Sequence, residues 1–292
     1  MKKLGMVMAI LAAIFYAFST PISKILLTEI PSTMLAGLLY LGAGIGMCIV
    51  YGIRKVFIKK EKEESLAKTD LKYVIGMIIL DILAPIFLLI GLSQSNSSSI
   101  SLLNNLEIVA TSLIALIIFK EKINLKLWIG IILITLASML LSLNGAELKF
   151  NMGSLYALLA CLCWGLENNC TKAISNKNPF QIVIIKGLFS GIGSIIIALV
   201  LKENTVNYIY ILYALLLGFI AYGLSVFTYI VAQRYLGSAK TSAYYAIAPF
   251  IGVGLAFIFF NERPYYTFYI ALVIMIIGTI FVTLDKFNKK NT

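Results

Sequence analysis

The sequence predicts an all-α, polytopic membrane protein with ten transmembrane helices arranged as two inverted five-helix repeats. Three observations lead to this prediction: the apolar composition, the length of the apolar segments and the similarity between the two halves of the chain. Of the 292 residues, 60% are hydrophobic and only 13% are charged, and the mean hydropathy is +0.95. A soluble domain of this size exposes far more polar surface, so the soluble classes are excluded.

The apolar residues fall into segments of about twenty, the length that crosses a hydrocarbon core of roughly 30 Å. Ten such segments, numbered here as spans 1 to 10, are predicted at residues 4–27, 33–53, 73–93, 98–119, 127–143, 153–173, 180–201, 208–231, 239–260 and 266–284. The links between them are short, except for the charged stretch at residues 54–72. Span 1 follows two lysines, as a signal peptide does, but it is too long and lacks a cleavage motif, so we expect it to be retained.

Basic residues are distributed unequally between the predicted loops. With both termini on one side, nineteen of the 24 Lys and Arg residues fall on that side and three (Lys149, Lys202 and Arg263) fall on the other. Short cytoplasmic loops are enriched in Lys and Arg. The asymmetry therefore predicts cytoplasmic N and C termini in a cell inner (plasma) membrane. The formal charge of +11 is therefore explained by the basic residues of the cytoplasmic loops and does not indicate binding of nucleic acid. The predicted partner is the lipid bilayer.

The two halves of the chain match in order and in spacing. A shift of 141 positions aligns residues 113–122 (LIALIIFKEK) with residues 254–263 (GLAFIFFNER), a match that includes one glutamate in each segment. Near the start of each half, a shift of 148 positions aligns Tyr16 with Trp164. The shared order of these matches makes chance similarity between apolar runs a poor explanation.

The matches predict two units, residues 1–146 and residues 147–292. Each unit contains five spans, so the second unit enters the membrane in the opposite direction to the first. Inverted repeats of this kind are typical of secondary transporters, which hold their substrate near the membrane midplane between the two copies.

Four charged residues are predicted deep inside the spans, away from their ends: Asp81 in span 3, Glu107 in span 4, Glu167 in span 6 and Lys186 in span 7. A charge at the bilayer centre costs about 2.5–3.5 kcal/mol on insertion scales, so four facing lipid would cost on the order of 10 kcal/mol. They must therefore face the bundle interior, pair, protonate or line water. Lys186 is expected to neutralise Glu167 or Glu107 or to bind a substrate carboxylate, and a purely structural ion pair is the alternative.

Glu107 belongs to a polar stripe on span 4, formed by Ser97, Ser101, Asn104, Glu107 and Thr111. Their steps of three and four residues place them on one helix face. Such a stripe in an apolar helix predicts the wall of a wet cavity. The alternative is a network of interhelix hydrogen bonds that only holds the bundle together.

Span 6 carries a similar stripe, formed by Trp164, Glu167, Asn168 and Thr171 within the segment CWGLENNCTK. An aromatic ring, an acid, an amide and a hydroxyl on one side of a helix suit the orientation of a polar small molecule. An aromatic anchor at the membrane interface with polar packing groups is the alternative.

Spans 1 and 9 supply further candidates. Tyr16, Thr20 and Lys24 form the stripe on span 1 that matches span 6, with the Lys24 side chain expected to extend to the outer surface. In span 9, the neighbouring Tyr244 and Tyr245 are expected to shape the pocket.

The composition also limits the chemistry. The chain has no histidine and four cysteines, all inside apolar segments. The usual zinc ligand and the usual neutral-pH base are therefore missing, and the cysteines are interpreted as small apolar packing residues. No metal and no cofactor are predicted. No intramembrane protease motif is present, so the chain is predicted not to be an enzyme.

The sequence resembles the drug/metabolite transporter superfamily, in particular its EamA-type members with ten spans. The resemblance covers almost the whole chain and rests on the duplicated five-span unit, the FKEK and FNER ends of spans 4 and 9, the aromatic-to-lysine spacing in spans 1 and 6, and the segments WGLENNCTKAIS, LDILAPI and LLNNLEIVATSLIA. It implies a ten-helix bundle with a central cavity that moves amino acids, other metabolites or toxic compounds outward. Span 1 departs from the family pattern, because Tyr16-Ala17 stands where many members have Trp-Gly.

Together these observations predict a secondary transporter that exports small polar metabolites, such as amino acids, by alternating access around a midplane cavity. A transporter of lipids or amphiphiles and a non-transporting membrane sensor are the alternatives. Proton coupling is a further hypothesis, since burial penalises the charged form of a carboxylate. The sequence does not decide between a monomer and a homodimer, because the glycines of spans 2 and 7 (Gly42, Gly44, Gly46, Gly187 and Gly191) suit close helix contacts within one chain or between two. The predicted substrate-binding residues are Glu107, Glu167, Asp81, Asn104, Asn168, Trp164, Tyr16, Thr20, Tyr244, Tyr245 and Lys186.

Overall fold

A computed structural model of the chain describes residues 2–57, 63–95, 100, 103–104, 106–142, 152–204, 207–260 and 266–284. Apart from an isolated bridge between Glu64 and Lys177, the regular structure of these residues is helical, which confirms the all-α class. The helices are α1 Lys2–Ala17, α2 Ser19–Leu26, α3 Ser32–Phe57, α4 Leu71–Ser93, α5 Leu106–Ile117, α6 Leu125–Ser142, α7 Met152–Ala173, α8 Pro179–Val200, α9 Tyr208–Leu217, α10 Ser225–Leu236, α11 Ser238–Tyr245, α12 Ala248–Phe260 and α13 Tyr266–Leu284. A 3₁₀ turn, Lys68–Asp70, precedes α4, and a π segment, Gly218–Leu224, joins α9 to α10.

Several helical stretches have the length and the apolar composition to cross a bilayer. Among the described residues, five such stretches are Lys3–Leu26, Ser32–Val56, Lys68–Ser93, Pro179–Val200 and Tyr208–Leu236. Shorter apolar helices are Leu106–Ile117, Leu125–Ala137 and Tyr266–Val282. The chain is therefore a multi-pass membrane protein. Span 4, predicted from residue 98, lies partly outside the described residues, as do Ser97 and Ser101 of its polar stripe.

Spans 1 and 9 were each predicted as one membrane-crossing segment that contains a proline, and each consists of two helices in the structure. Span 1 is interrupted between Ala17 and Ser19, and span 9 is interrupted after Tyr245. Both breaks lie four residues before a proline, Pro21 in the first case and Pro249 in the second. Because proline has no backbone N–H, it leaves the carbonyl four residues earlier without its helical hydrogen bond. These prolines account for the position of both breaks.

Helices α3 and α8 pack along much of their length because glycines remove side chains from the contact. A Cβ atom on Gly187 would lie 2.4 Å from the backbone nitrogen of Gly44. The two helices are antiparallel, since Gly37 lies against Ile195 whereas Gly44, further along α3, lies against Leu188. Small residues that let two backbones approach are a common device of helix packing in lipid.

The remaining helix pairs form a regular pattern. Helix α4 packs along α7, α1 along α10, α6 along α13, α5 against α7 and α1 against α11. The predicted repeat pairs each span of the first half with the span five places later. If the spans are exchanged on that basis, the α4–α7 pair (spans 3 and 6) becomes the α10–α1 pair (spans 8 and 1). The same exchange converts α5–α7 into α11–α1, and it leaves α3–α8 and α6–α13 as they are. The pairing is thus unchanged when the halves are swapped.

Two charged side chains satisfy backbone groups at helix ends. The Lys24 ammonium donates to the carbonyls of Leu92 and Ser95 at 2.7 Å each, so it binds the C-terminal end of α4. The Glu121 carboxylate accepts from the backbone N–H groups of Ser238 at 3.0 Å and Ala239 at 3.4 Å. Glu121 thereby caps the N-terminus of α11, where a negative charge is favourable. Its repeat counterpart, Glu262, lies outside the described residues.

Residues 63–70, which precede α4, are tied by ion pairs to the second half of the chain. The Glu64 carboxylate lies 2.6 Å from the Lys177 ammonium, and the Glu63 carboxylate lies 3.2 Å from the Arg234 guanidinium. Arg234 also donates to the carbonyl of Lys177 at 2.8 Å. The hydrogen bond to Glu64 raises the pKa of Lys177 above its usual value. These contacts hold one end of the bundle together.

Candidate functional site

A buried charged triad joins three helices in the interior of the bundle. The Lys186 ammonium on α8 lies 2.8 Å from Glu167 Oε1 on α7 and 3.1 Å from Asp81 Oδ2 on α4. Tyr40 donates its hydroxyl to Asp81 Oδ1 at 2.8 Å, and the Thr171 hydroxyl donates to Glu167 Oε1. One ammonium therefore serves two carboxylates, and the neighbouring hydroxyl groups supply the additional hydrogen bonds that buried ions need.

Glu107 lies on α5 and is held by a different set of partners. Asn168 on α7 donates its amide to Glu107 Oε1 at 2.6 Å and to the Thr111 hydroxyl at 3.2 Å. The close approach of the two helices depends on Gly165, whose added Cβ would lie 2.7 Å from Ala110 Cβ. The polar stripes of spans 4 and 6 therefore face each other.

A narrow central cavity lies beside these charges. The space between its lining atoms is about 470 Å³, which includes space open to the surroundings. Its walls come from both halves of the chain, and they combine charged, polar and aromatic side chains. The lining residues are Tyr16, Tyr40, Glu107, Trp164, Glu167, Asn168, Thr171, Lys186, Tyr222, Ser225, Val226, Tyr229 and Tyr245. A concave site with aromatic walls and a few converging polar groups is the usual form of a small-molecule site.

The aromatic part of the wall is centred on Tyr16. The centre of its ring lies 5.3 Å from that of Tyr245, 5.8 Å from that of Tyr222 and 6.4 Å from that of Trp164. These rings come from α1, α7, the π segment and α11, so the cavity wall changes shape if any of these elements moves relative to the others.

A second, smaller cavity of about 280 Å³ adjoins the first. It shares Tyr16, Glu107 and Tyr245 with the central cavity and adds Asn104 and Ser242 to its lining. Glu107 therefore borders both spaces.

The structure brings most of the predicted site residues together. Trp164, Glu167, Asn168 and Lys186 line the central cavity, Tyr16, Glu107 and Tyr245 line both cavities, and Asn104 lines the second. Asp81 lies behind Lys186, within the triad. Thr20 and Tyr244 are buried but lie outside the linings of both cavities. Their part in binding stays a prediction.

Several lining residues were missed by the sequence analysis. Tyr222, Ser225 and Tyr229 lie on one face of the chain that runs from the π segment into α10. Their steps of three and four residues are the same signal that was used for span 4, so that signal was available in span 8. Tyr40 gave no such signal, because it is an isolated polar group among the small and apolar residues of α3.

The chemistry available at the site is recognition of charge and shape. Among the described residues, no group of three histidine, cysteine or acidic side chains is placed to hold a metal ion. Carboxylates, an ammonium, amides, hydroxyls and aromatic faces are present in one buried space. Groups of these kinds are the ones that recognise polar small molecules in proteins, by ion pairs, hydrogen bonds and ring contacts.

A bundle of apolar helices around a buried, charged cavity defines a membrane protein built to admit a small solute. The sequence profile of the EamA-like transporter family matches this chain twice, at residues 3–143 and at residues 151–284. The chain belongs to the EamA-like transporter family.

Similarity to individual proteins agrees with this assignment. An uncharacterized transporter of Methanothermobacter thermautotrophicus is 27% identical over an alignment of 280 residues, and the match covers 90% of this chain and 81% of the relative. A protein of known crystal structure superimposes with a TM-score of 0.78 at 14% identity, over 96% of this chain and 98% of the other. At that identity, the superposition shows a shared fold and nothing more.

Proposed function

We propose that the chain is a secondary transporter that exports small polar metabolites, such as amino acids, by alternating access around the central cavity. The observation that carries the proposal is the buried cavity in which Glu107, Glu167 and Lys186 meet aromatic side chains. The carboxylates of the cavity attract the ammonium group of a substrate, and the ammonium of the cavity attracts the carboxylate of a substrate. The aromatic walls bury the apolar side chain of a substrate. A small zwitterion suits this combination.

We infer further that residues 1–146 and residues 147–292 are inverted five-helix repeats, which gives ten spans in total. Helices α3 and α8 occupy equivalent places in the two halves, and their antiparallel packing agrees with an inversion. The exchange symmetry of the helix pairs and the two matches to one family profile support the same arrangement. The boundary at residue 146 lies outside the described residues.

Alternating access follows from this arrangement, because each half contributes walls to the cavity. Rocking of one half against the other would open the cavity to one side of the membrane at a time. The excess of basic residues in one set of loops supports cytoplasmic termini in an inner membrane. Two outer-loop residues used in that count, Lys149 and Arg263, lie outside the described residues.

A thermal-shift screen of the purified protein against the twenty amino acids tests the proposal. A ligand that binds only the native state stabilises it by about 2.7 kcal/mol at a hundred times its Kd, so a substrate raises the apparent Tm. The ligands found are then tested for counterflow into proteoliposomes. If none of the amino acids raises the apparent Tm and none is transported, the protein is not an amino-acid exporter.

Replacement of Glu107 by glutamine tests the carboxylate that borders both cavities. The glutamine oxygen still accepts the hydrogen bond from Asn168, so the fold is kept while the negative charge is lost. We expect binding and counterflow of an ammonium-bearing substrate to weaken roughly ten- to hundredfold, since a hydrogen bond to a charged group contributes about 1.5–3 kcal/mol. Glu29→Gln, which removes an exposed carboxylate, is the control. Equal transport by the two variants would exclude a central role for Glu107.

Proton coupling is tested with an imposed pH gradient across the same proteoliposomes. Because burial penalises a charged carboxylate, Glu107 is suited to exchange a proton for a positively charged substrate group. We expect a gradient to drive transport by the wild-type protein and to have no effect on transport by Glu107→Gln. Wild-type transport at the same rate with and without the gradient contradicts the coupling.

Two other functions remain distinguishable by experiment. A sensor without transport needs no hydrated route, so single cysteines introduced along the Glu107 face of α5 would resist polar thiol reagents. A transporter of lipids or amphiphiles needs a side opening from the bilayer to the cavity. Reagents that reach these cysteines only from the lipid phase would favour that function over the export of polar metabolites.

A further inference from the structure

An apolar pocket of about 620 Å³ lies on the flank of the bundle, away from the charged site. Phe18 and Ile22 form one side of it, and residues of α9 and the π segment form the other. The full lining is Phe18, Ile22, Tyr213, Leu216, Leu217 and Ile220. Within the described part of the chain, it shares no lining residue with either of the two polar cavities.

The pocket faces the bilayer at the depth of the hydrocarbon core. Three of its residues keep large exposed fractions: 52% for Tyr213, 51% for Leu216 and 39% for Ile220. They lie in the stretch Tyr208–Leu236, which is long and apolar enough to span a membrane. At 1.5 Å per residue, these three positions lie roughly 7–18 Å along the helix from its start at Tyr208. An apolar pocket at this depth excludes water and headgroups, so its occupant must be hydrocarbon.

The pocket coincides with two irregular segments of the bundle. Phe18 is the residue at which span 1 breaks, and Ile220 lies inside the π segment. On the inner side of the same segments, the Ser19 hydroxyl donates to the Tyr222 hydroxyl at 3.2 Å, and Tyr222 lines the central cavity. The π segment therefore contributes to both linings, with Ile220 in the lipid-facing pocket and Tyr222 in the central cavity. Breaks and π segments are the places where helices deform most readily.

We propose that this flank pocket is a specific binding site for one acyl chain of a bilayer phospholipid, inserted between the broken span 1 and the π segment. The lining, which is apolar except for the Tyr213 hydroxyl, the depth and the open side toward the bilayer define the ligand. A chain in the pocket fills the gap between the two irregular segments and braces the wall of the central cavity. The site does not depend on which solute the central cavity carries.

Photocrosslinking of lipid in nanodiscs tests the site. The protein is reconstituted with a phospholipid that carries a diazirine in one acyl chain, and the labelled peptides are identified by mass spectrometry. We expect labelling to concentrate on the Ser19–Leu26 and Tyr208–Leu217 helices rather than on the exposed face of α8. Leu216→Trp narrows the pocket and should reduce this labelling strongly. Ile196→Trp, at an exposed position of α8, is the matched control and should leave it unchanged.

A second variant and a second measurement guard against a failure of Leu216→Trp to fold. Ile22→Phe reduces the pocket from its other side and should also lower the labelling. Added phospholipid should raise the Tm of the detergent-purified wild type more than that of either pocket variant. Even labelling of all lipid-facing helices would overturn the proposal. Displacement of the label by an amphiphilic solute that the protein transports would assign the pocket to a substrate path instead.

Discussion

Replacement of Lys186 by methionine is expected to destabilise the protein by about 3–5 kcal/mol, because it leaves two buried carboxylates without their counter-ion. Asp81 and Glu167 are both buried, and each lies within 3.1 Å of the Lys186 ammonium. Methionine has a similar volume, so the loss comes from charge rather than from a cavity. Thermal unfolding in detergent should show a Tm lower by roughly 5–10 °C.

A matched pair of variants separates this effect from a loss of net charge. Lys126→Met removes a lysine that is exposed at the start of α6 and should leave the Tm unchanged. The triple variant Lys186→Met, Asp81→Asn, Glu167→Gln removes the whole triad and should recover most of the lost stability, since replacement of a complete buried ion cluster is often neutral. If the triple variant is as unstable as Lys186→Met alone, then packing around Lys186 is the cause.

Substitution of alanine for Gly42 or Gly218 is expected to cost about 1–3 kcal/mol through overpacking. A Cβ on Gly42 would lie 2.1 Å from the carbonyl oxygen of Leu215, and a Cβ on Gly218 would lie 2.0 Å from that of Leu39. Both obstacles are backbone atoms, which cannot rotate away as the end of a side chain can. The α3 helix must therefore move away from α9 and the π segment in either variant, and the Tm in detergent should fall.

Gly52→Ala provides the control, because a Cβ at this position of α3 has no neighbour within 4 Å. It should be neutral or stabilising by up to about 1 kcal/mol, the helix propensity gained over glycine. The double variant Gly42→Ala, Gly218→Ala should lose less stability than the two single variants together, since both open the same helix crossing. Strict additivity, or an equal loss in Gly52→Ala, would show that close approach at this crossing is not the cause.

The polar stripes of spans 4 and 6 could be predicted because helical spacing is a local property of the chain. Glu107 and Asn168 were assigned to the site from spacing alone, and they meet at 2.6 Å. The partners of Lys186 were not decided by the sequence, which allowed Glu167, Glu107 or a substrate carboxylate. The structure pairs it with Glu167 and also with Asp81, whereas Glu107 is bound by Asn168. Such pairs depend on which helices are neighbours in the fold. Two helices that are far apart in the chain leave no local sequence pattern that shows their contact.

The irregular elements of the helices also differ in whether the sequence could predict them. The breaks of spans 1 and 9 follow from Pro21 and Pro249, since a missing N–H acts on the carbonyl four residues earlier wherever the helix lies. The π segment at Gly218–Leu224 has no equivalent signal in the sequence. It occurs where α3 approaches the backbone closely enough that Gly218 has no room for a side chain. Contact with another helix therefore accompanies this irregularity, and periodicity could not predict it.

By itself, the sequence determined that this protein is a multi-pass helical membrane protein with charges that must avoid lipid. Composition, segment length and the free-energy cost of a charge in hydrocarbon are enough for that conclusion, since each depends on residue types and not on their arrangement in space. Only the tertiary structure decided which charges pair, that Tyr40, Tyr222 and Tyr229 join the cavity wall, and that an apolar pocket lies on the flank. Helices in lipid associate through shape and polar contacts rather than through hydrophobicity, and shape complementarity between distant segments is a property of the folded bundle.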